Sequence, residues 1–340
     1  MIARRQVLRH LALIAFASGM PAASRATSAK RVGILSEAEE TKEGLEWEPN
    51  FWLVMAQRGW ILGRNVVVER AFANRKTDRL PQLAEDLVRK RVDVIGVADD
   101  DQDAMVAAAR ATRTIPIVVY DPFDPVEQGL IESFARPGRN VTGVALTAGA
   151  DFTVKRLEYL RAIAPSAKRL AWLSSKDTLS RPRVDGTRID VAGRLAAAAR
   201  TVGFETRFFH APGPHDIDKA FTNLAAWGAE AVTARGWPLD STNREVAKLA
   251  LSHRLPSAFL APDLVQAGGL LSYAIPESET EVSVLRCIEY VDRVLRGANP
   301  AEMPVIGPDR YELIINTRTA ETLRLTIPQS ILVRADRLLR

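Results

Sequence analysis

The sequence predicts an α/β protein of two lobes, each a parallel sheet covered by helices. Three observations predict it. Short apolar runs alternate with stretches of helical period from Arg31 onward, the pattern of βαβ units. The alternation reaches Gly143 and then restarts. The stretch Ala109–Pro122 also echoes Leu251–Asp263: helix, short turn, proline, strand, proline-containing turn. A repeat this long denotes a duplicated domain rather than a solenoid array.

The first 26 residues stand apart from the fold. Arg4, Arg5 and Arg9 precede a mostly apolar run, Leu11 to Met20, and Ser24-Arg25-Ala26 offers small residues for cleavage. That order is expected of a secretory signal peptide, and Arg4-Arg5-Gln6-Val7-Leu8 has the look of a twin-arginine export signal. Without this segment the formal charge drops from +5 to 42 basic against 41 acidic residues. The residual balance gives no reason to expect nucleic acid or a membrane surface as partner. Nothing after the leader approaches the roughly 18 uninterrupted apolar residues of a membrane span. Cys287 is the single cysteine, which excludes an internal disulfide.

Arg31–Ser36 is a short apolar strand ending in a hydroxyl, followed by a helix over Asn50–Arg58 with Gly59 at its end. Asn65–Phe72 is a valine-rich strand. Asp78 is placed to cap a helix through Arg89, whose Leu80, Leu83, Ala84 and Leu87 recur at helical spacing. Val92–Ala98 is a strand, Asp101–Thr112 an alanine-rich helix and Ile115–Tyr120 a buried strand with Pro116 at its entry. Two turns, Asp121–Pro125 and Arg136–Arg139, lead to the strand Asn140–Val144.

In the second run Phe152–Ile163 reads as a helix, Arg169–Leu173 as a strand, Val184–Val202 as one long helix and Phe204–Phe209 as a strand. Asp216 caps a helix through Trp227. Ala231–Ala234 is a strand, Ser241–His253 a helix, Ser257–Leu260 a strand and Gly268–Ala274 a glycine-hinged strand. Glu279–Leu295 is a helix closed by Gly297. Tyr311–Asn316 is a strand, Thr317–Arg324 a helix and Pro328–Leu339 a tail. Crossings near Val141, Leu271 and Pro308 divide the chain into 27–141 plus 273–307 for the first lobe and 142–272 plus 308–340 for the second.

Open α/β sheets bind ligands at the carboxyl ends of their strands, so the candidate residues are those at strand ends. In the first lobe these are Ser36, Asp100, Asp101, Gln102, Tyr120, Asp121 and Phe123, with Thr142 in the crossing strand. In the second they are Ser175, Trp237 and Phe259. The run Asp99-Asp100-Asp101-Gln102-Asp103 has two readings: recognition of an amine, or capping and dipole compensation at a helix start. An aromatic ring beside carboxylates at Tyr120–Asp124 suits an amphipathic organic ligand.

Enzyme chemistry finds little support. His210 and His215 beside Asp216 and Asp218 suggest a metal site, but Pro212-Gly213-Pro214 makes a turn there and Asp216 serves as a cap, so no metal or cofactor is expected. No phosphate-binding G-x-x-x-x-G-K-[ST] loop, G-x-G-x-x-G fingerprint or H-E-x-x-H pair is present. Cys287, inside a helix, reads as a small packed side chain.

Several stretches resemble the periplasmic solute-binding proteins of bacterial ABC importers, in the group with tryptophan-type components. They are Val32–Ser36, Arg79–Val88, Thr114–Val118, Arg136–Gly143, Ala267–Tyr273 and Tyr311–Asn316 with Thr326-Ile327-Pro328. The resemblance implies a type I periplasmic-binding fold, two Rossmann-like lobes joined by three hinge crossings. It further implies a small organic cargo, amino-acid-like or an amine or aromatic compound, captured between the lobes, no catalysis, a monomer, and delivery to a permease in the inner membrane. Relatives carry small neutral residues where this chain has Asp99–Asp103, which counts against carrying over an amino-acid carboxylate site. An exported Rossmann-like enzyme using cleft carboxylates, or a sensor for a membrane receptor, are the alternatives.

Overall fold

A computed structural model of the chain describes residues 29–42, 45–97, 101–146, 149–174, 179–236 and 244–340. The leader, Asp100, Ser175 and Trp237 lie outside the described residues.

The first sheet comprises β1 (Lys30–Ser36), β2 (Val66–Phe72), β3 (Val94–Val97), β4 (Ile117–Tyr120) and β5 (Val141–Val144), all parallel, in the order β2-β1-β3-β4-β5. Helices α1 (Glu48–Gln57), α2 (Leu80–Arg89) and α3 (Gln102–Ala111) connect its strands. α2 follows its amphipathic pattern: Leu80, Ala84 and Leu87 are buried. A short 3₁₀ turn at Thr77–Arg79 opens it, and Asp78 makes no side-chain cap bond to it.

The second half holds α4 (Gly149–Ile163), β6 (Arg169–Ser174), β7 (Ser180–Pro182), β8 (Arg188–Asp190), α5 (Val191–Thr201), β9 (Glu205–His210), α6 (Ile217–Trp227), β10 (Ala231–Arg235), α7 (Glu245–Ser252), β11 (Ser257–Phe259), α8 (Pro262–Gln266) and β12 (Leu271–Ala274). Then α9 (Glu277–Leu295) returns to pack on β4, β5 and α1 of the first sheet. β13 (Glu312–Asn316), α10 (Thr317–Thr322), α11 (Gln329–Leu332) and β14 (Arg337–Leu339) complete the second sheet, in the order β14-β13-β12-β11-β10-β6-β9. Among the described residues of that sheet the β12–β13 pairing is antiparallel and the other pairings are parallel.

The expected duplication is visible in the strand order. Read from β9 to β12 in chain sequence, the second sheet repeats the 2-1-3-4-5 order of the first. In that order the ligand crevice opens between the first and third strands, where chain direction across the sheet reverses. The switch points are therefore β1/β3 and β6/β10.

The chain passes between the sheets three times: after β5, after β12 and before β13. The breaks expected at 141/142 and 272/273 fall inside β5 and β12. Ladder hydrogen bonds hold both strands whole in their own sheets, so the breaks lie after Val144 and after Ala274. Gly143 explains part of this. Its φ is +151°, and a Cβ there would collide with the Val119 carbonyl on the neighbouring strand, so only glycine fits. Thr142 is fully buried beside it and donates to the Met303 carbonyl (2.8 Å), fastening the returning segment to the sheet edge.

Two expectations about local structure differ from the fold. Val184–Val202 is not one helix. Its first part is a hairpin, β7–β8, closed by Val184-Asp185-Gly186-Thr187. Gly186 has φ +95°, Arg183 N–H donates to the Thr187 carbonyl (3.0 Å), and Asp185 accepts from Thr187. Asp-Gly between extended residues is a hairpin signal that outweighs the following alanine-rich helical period. α5 starts only at Val191, capped by Asp190 through Gly193 N–H (2.9 Å). The tail Pro328–Leu339 likewise ends in a sheet strand, β14.

Candidate functional site

The carboxyl ends of β1, β3 and β4 meet in a compact polar knot. Asp101, the residue preceding α3, points its carboxylate at β1 rather than at its own helix. Asp101 Oδ2 accepts from Ser36 Oγ (2.7 Å) and from Glu37 N–H (2.8 Å), and it makes no cap bond to α3. Ser36 Oγ in turn accepts from Ala38 N–H (3.0 Å). Both side chains are buried.

Gln102 bridges to the end of β4. It donates to the Asp121 carbonyl (3.0 Å) and accepts from Phe123 N–H (2.9 Å). Asp121 sits at φ +55°, a left-handed conformation that asparagine and aspartate tolerate best. Its carboxylate accepts from Leu146 N–H (2.9 Å), just beyond β5. Tyr120, half-buried, ends β4. The structure thus brings Ser36, Asp101, Gln102, Tyr120, Asp121 and Phe123 to one edge. Neither aspartate stands ready as a naked cation trap, because each organises backbone N–H groups.

The second sheet has a different face at its switch point. Ser174 ends β6, directly across the ladder from Arg235, which ends β10. Alternation along the strands puts both on the same face as Trp172, the face that α4 covers. Ser174 Oγ and Trp172 Nε1 are buried, and neither has a hydrogen-bond partner among the described residues.

α4 brings a third donor group. Its buried stripe runs Phe152, Arg156, Leu160, Ile163, a helical i, i+4 spacing with an arginine in an apolar position. Arg156 is 1% exposed. Its guanidinium lies 5.5 Å from the centre of the Phe152 ring, while Nε and Nη1 have no hydrogen-bond partner among the described residues. Burial, and secondarily the positive charge of Arg235, push Arg156 down to about 9. An arginine buried without an acid costs several kcal/mol.

Phe123 joins the two halves. It reaches from the end of β4 onto the α4 side of the second sheet's core, where the Arg235 guanidinium lies 5.3 Å from its ring centre. The β7–β8 hairpin makes a second bridge. Arg110 of α3 donates to the carbonyls of Val184 (3.0 Å) and Arg183 (2.6 Å), Val184 N–H donates to the Gln128 carbonyl (2.8 Å), and Arg194 pairs with Glu127.

Two expected site residues are structural in geometry. Thr142 is committed to Met303 inside the first half. Phe259 is fully buried under α8, so close to Gly269 that a Cβ there would come within 2.8 Å of its ring. Arg156 was not among the expected residues; the legible signal was an arginine on the apolar stripe of a helix. Arg235 was visible as a strand end and nothing more. Among the described residues no group of three or more metal-ligating side chains occurs, and no helix is long and apolar enough to cross a membrane.

Comparison with known proteins places this architecture. A tyrosine-binding protein of Clostridioides difficile is 24% identical over 295 residues, 86% of this chain and 81% of that protein. The ABC domain from Streptococcus pneumoniae solved in complex with L-Trp is 22% identical, with a TM-score of 0.67, covering 92% of this chain and 100% of the other. The ligand-free, open structure of a substrate-binding protein with adhesive properties from Clostridium difficile has a TM-score of 0.58 at 20% identity, over 92% and 99% of the two chains. These solved structures share the fold. The family described as ABC transporter substrate binding protein matches residues 55–339, and the chain belongs to that family.

Proposed function

We propose that the protein is the exported solute receptor of an ABC importer, closing its two halves on a small organic molecule and presenting it to an inner-membrane permease. Capture occurs between the polar knot at Ser36, Asp101, Gln102 and Asp121 and the arginine face at Ser174 and Arg235. The observation that carries this reading is Phe123 of the first half lying against Arg235 of the second. An aromatic ring and a guanidinium meeting across two switch points is a clamp for an amphipathic ligand. The relatives that bind tyrosine or hold L-Trp support an aromatic cargo. The N-terminal arginines and apolar run support export to the periplasm, with the twin-arginine pattern as the route.

The test is ligand-dependent closure. Small-angle scattering of the purified protein with aromatic amino acids and aromatic acids should show a smaller radius of gyration on binding, lost in Phe123→Ala. A ligand that binds tightly yet leaves the scattering curve unchanged, and binds Phe123→Ala equally well, would place capture elsewhere.

A further inference from the structure

We propose that the β7–β8 hairpin is a strap: it reaches out of the second half, docks along α3 of the first, and biases the empty protein toward closure without fixing it there. Cargo then has less work to do in bringing the halves together.

The hairpin is a unit in itself. β7 and β8 pair antiparallel through Ser180 with Asp190, Arg181 with Ile189 and Pro182 with Arg188. Arg188 ties the base, donating from Nε to Ser180 Oγ (2.7 Å) and from Nη2 to the Ser180 carbonyl (3.0 Å). Arg183 N–H closes the tip on the Thr187 carbonyl (3.0 Å). A two-stranded ribbon alone is marginal in water, so this one needs a surface to lie on.

α3 supplies that surface. Asp103 in its first turn pairs with Arg188 (3.8 Å), and Arg110 in its last turn donates to the carbonyls of Arg183 (2.6 Å) and Val184 (3.0 Å). Asp103 and Arg110 are two helical turns apart, so they share a face and stand roughly 10 Å from each other along the axis. The hairpin therefore lies lengthwise on the helix rather than touching it at one point. The loop after β4 takes its tip. Val184 N–H donates to the Gln128 carbonyl (2.8 Å), and Nε2 of the fully buried Gln128 donates to the Pro182 carbonyl (3.4 Å). The Val184 side chain packs on the first half's core beside Gly129. Each of these contacts joins the two halves, and all of them break if the hairpin leaves α3. Exposed ion pairs contribute little, so the contacts of Arg110, Gln128 and Val184 carry most of the hold. Contacts made in only one of two states shift the balance toward that state, whatever the cargo. A receptor already partly closed then shows a proportionally tighter apparent affinity.

The test needs no ligand, so its failure would leave capture between the halves as it stood. Hydrogen exchange of single amides, read by NMR, compares Val184 N–H, bonded across the halves, with Arg183 N–H, bonded within the hairpin. Arg110→Met should speed exchange at Val184 by about 10-fold and leave Arg183 within about 3-fold of wild type. Val184→Lys sets an ammonium in the small cavity that Arg113 and Arg139 also line, and like charges crowded there should undock the hairpin. Small-angle scattering of that variant should show a larger radius of gyration than the ligand-free wild type. An unfolding temperature close to that of the wild type separates an undocked strap from a lost fold; if Val184→Lys does not fold, scattering by Arg110→Met takes its place with the same two outcomes. Wild-type Val184 N–H exchanging as fast as an open chain would overturn the docking. Equal acceleration at Val184 and Arg183 in Arg110→Met would overturn a hairpin that docks and undocks whole. Val184→Lys scattering like the wild type would overturn the strap, because the hairpin would then hold nothing.

Discussion

The two switch points occupy the same place in the same strand order, yet they treat polar atoms in opposite ways. At β1/β3 an acid and a hydroxyl satisfy each other: Asp101 accepts from Ser36 and Glu37. In the second half the Ser174 hydroxyl, at the end of β6, and the Arg156 guanidinium, on α4, have buried atoms without a hydrogen-bond partner among the described residues. Buried polar groups in folded proteins are almost always paired. The first edge obeys that rule and holds itself together. The second departs from it at Ser174 and Arg156.

The largest expected effect would come from removing the acid of the finished edge. Asp101→Ala orphans Ser36 Oγ and Glu37 N–H and should lower stability by about 2–3 kcal/mol in urea unfolding. A loss under about 0.5 kcal/mol would show that the knot is not structural.

The opposite sign is expected at the other edge. Arg156→Met removes an unpaired buried charge and keeps most of the volume, so the unliganded protein should gain about 1–2 kcal/mol by the same measurement. Destabilisation of that size would mean Arg156 has a structural partner, and the contrast between the edges would fail.

The two serines make a cleaner pair, since each substitution deletes one oxygen. Ser36→Ala should cost about 1 kcal/mol, because two partners lose a bond, and Ser174→Ala close to nothing. Equal costs would erase the distinction.

The smallest effect is in pH. Arg156 sits near 9 in the folded protein against an ordinary value of about 12.5. Above pH 9 the unfolded chain holds more protons at this position than the folded one, so wild-type folding gains stability as pH rises. The advantage of Arg156→Met over wild type should therefore narrow, by under about 1 kcal/mol, between pH 8 and pH 9.5 in matched unfolding curves. A gap that stays constant or widens would show that the guanidinium is not held in a dry site.

Much of the first edge was legible in the residues because it is local. Ser36 closes a strand, Asp101 and Gln102 open a helix, and Asp121 begins a proline turn, so strand ends alone lead to them. Their roles were less legible. The acidic loop suggested an amine site, yet Asp101 turns back to β1, a choice that depends on two segments 65 residues apart in sequence. The second edge was mostly hidden. Arg156 belongs to a helix whose period looks ordinary, and that helix packs against α5, β11 and β12, which come from other segments.

Periodicity, turn residues and the echo between Ala109–Pro122 and Leu251–Asp263 were enough, by themselves, to determine an α/β protein of two similar halves, because hydrophobic spacing and proline placement act over a few residues. The tertiary structure decided the rest. It made a hairpin of Arg181–Ile189, kept β5 and β12 whole, and buried Thr142, Arg156 and Phe259. Burial and the sign of the neighbouring charge are properties of distant segments packed together, so no local pattern along the chain can set them.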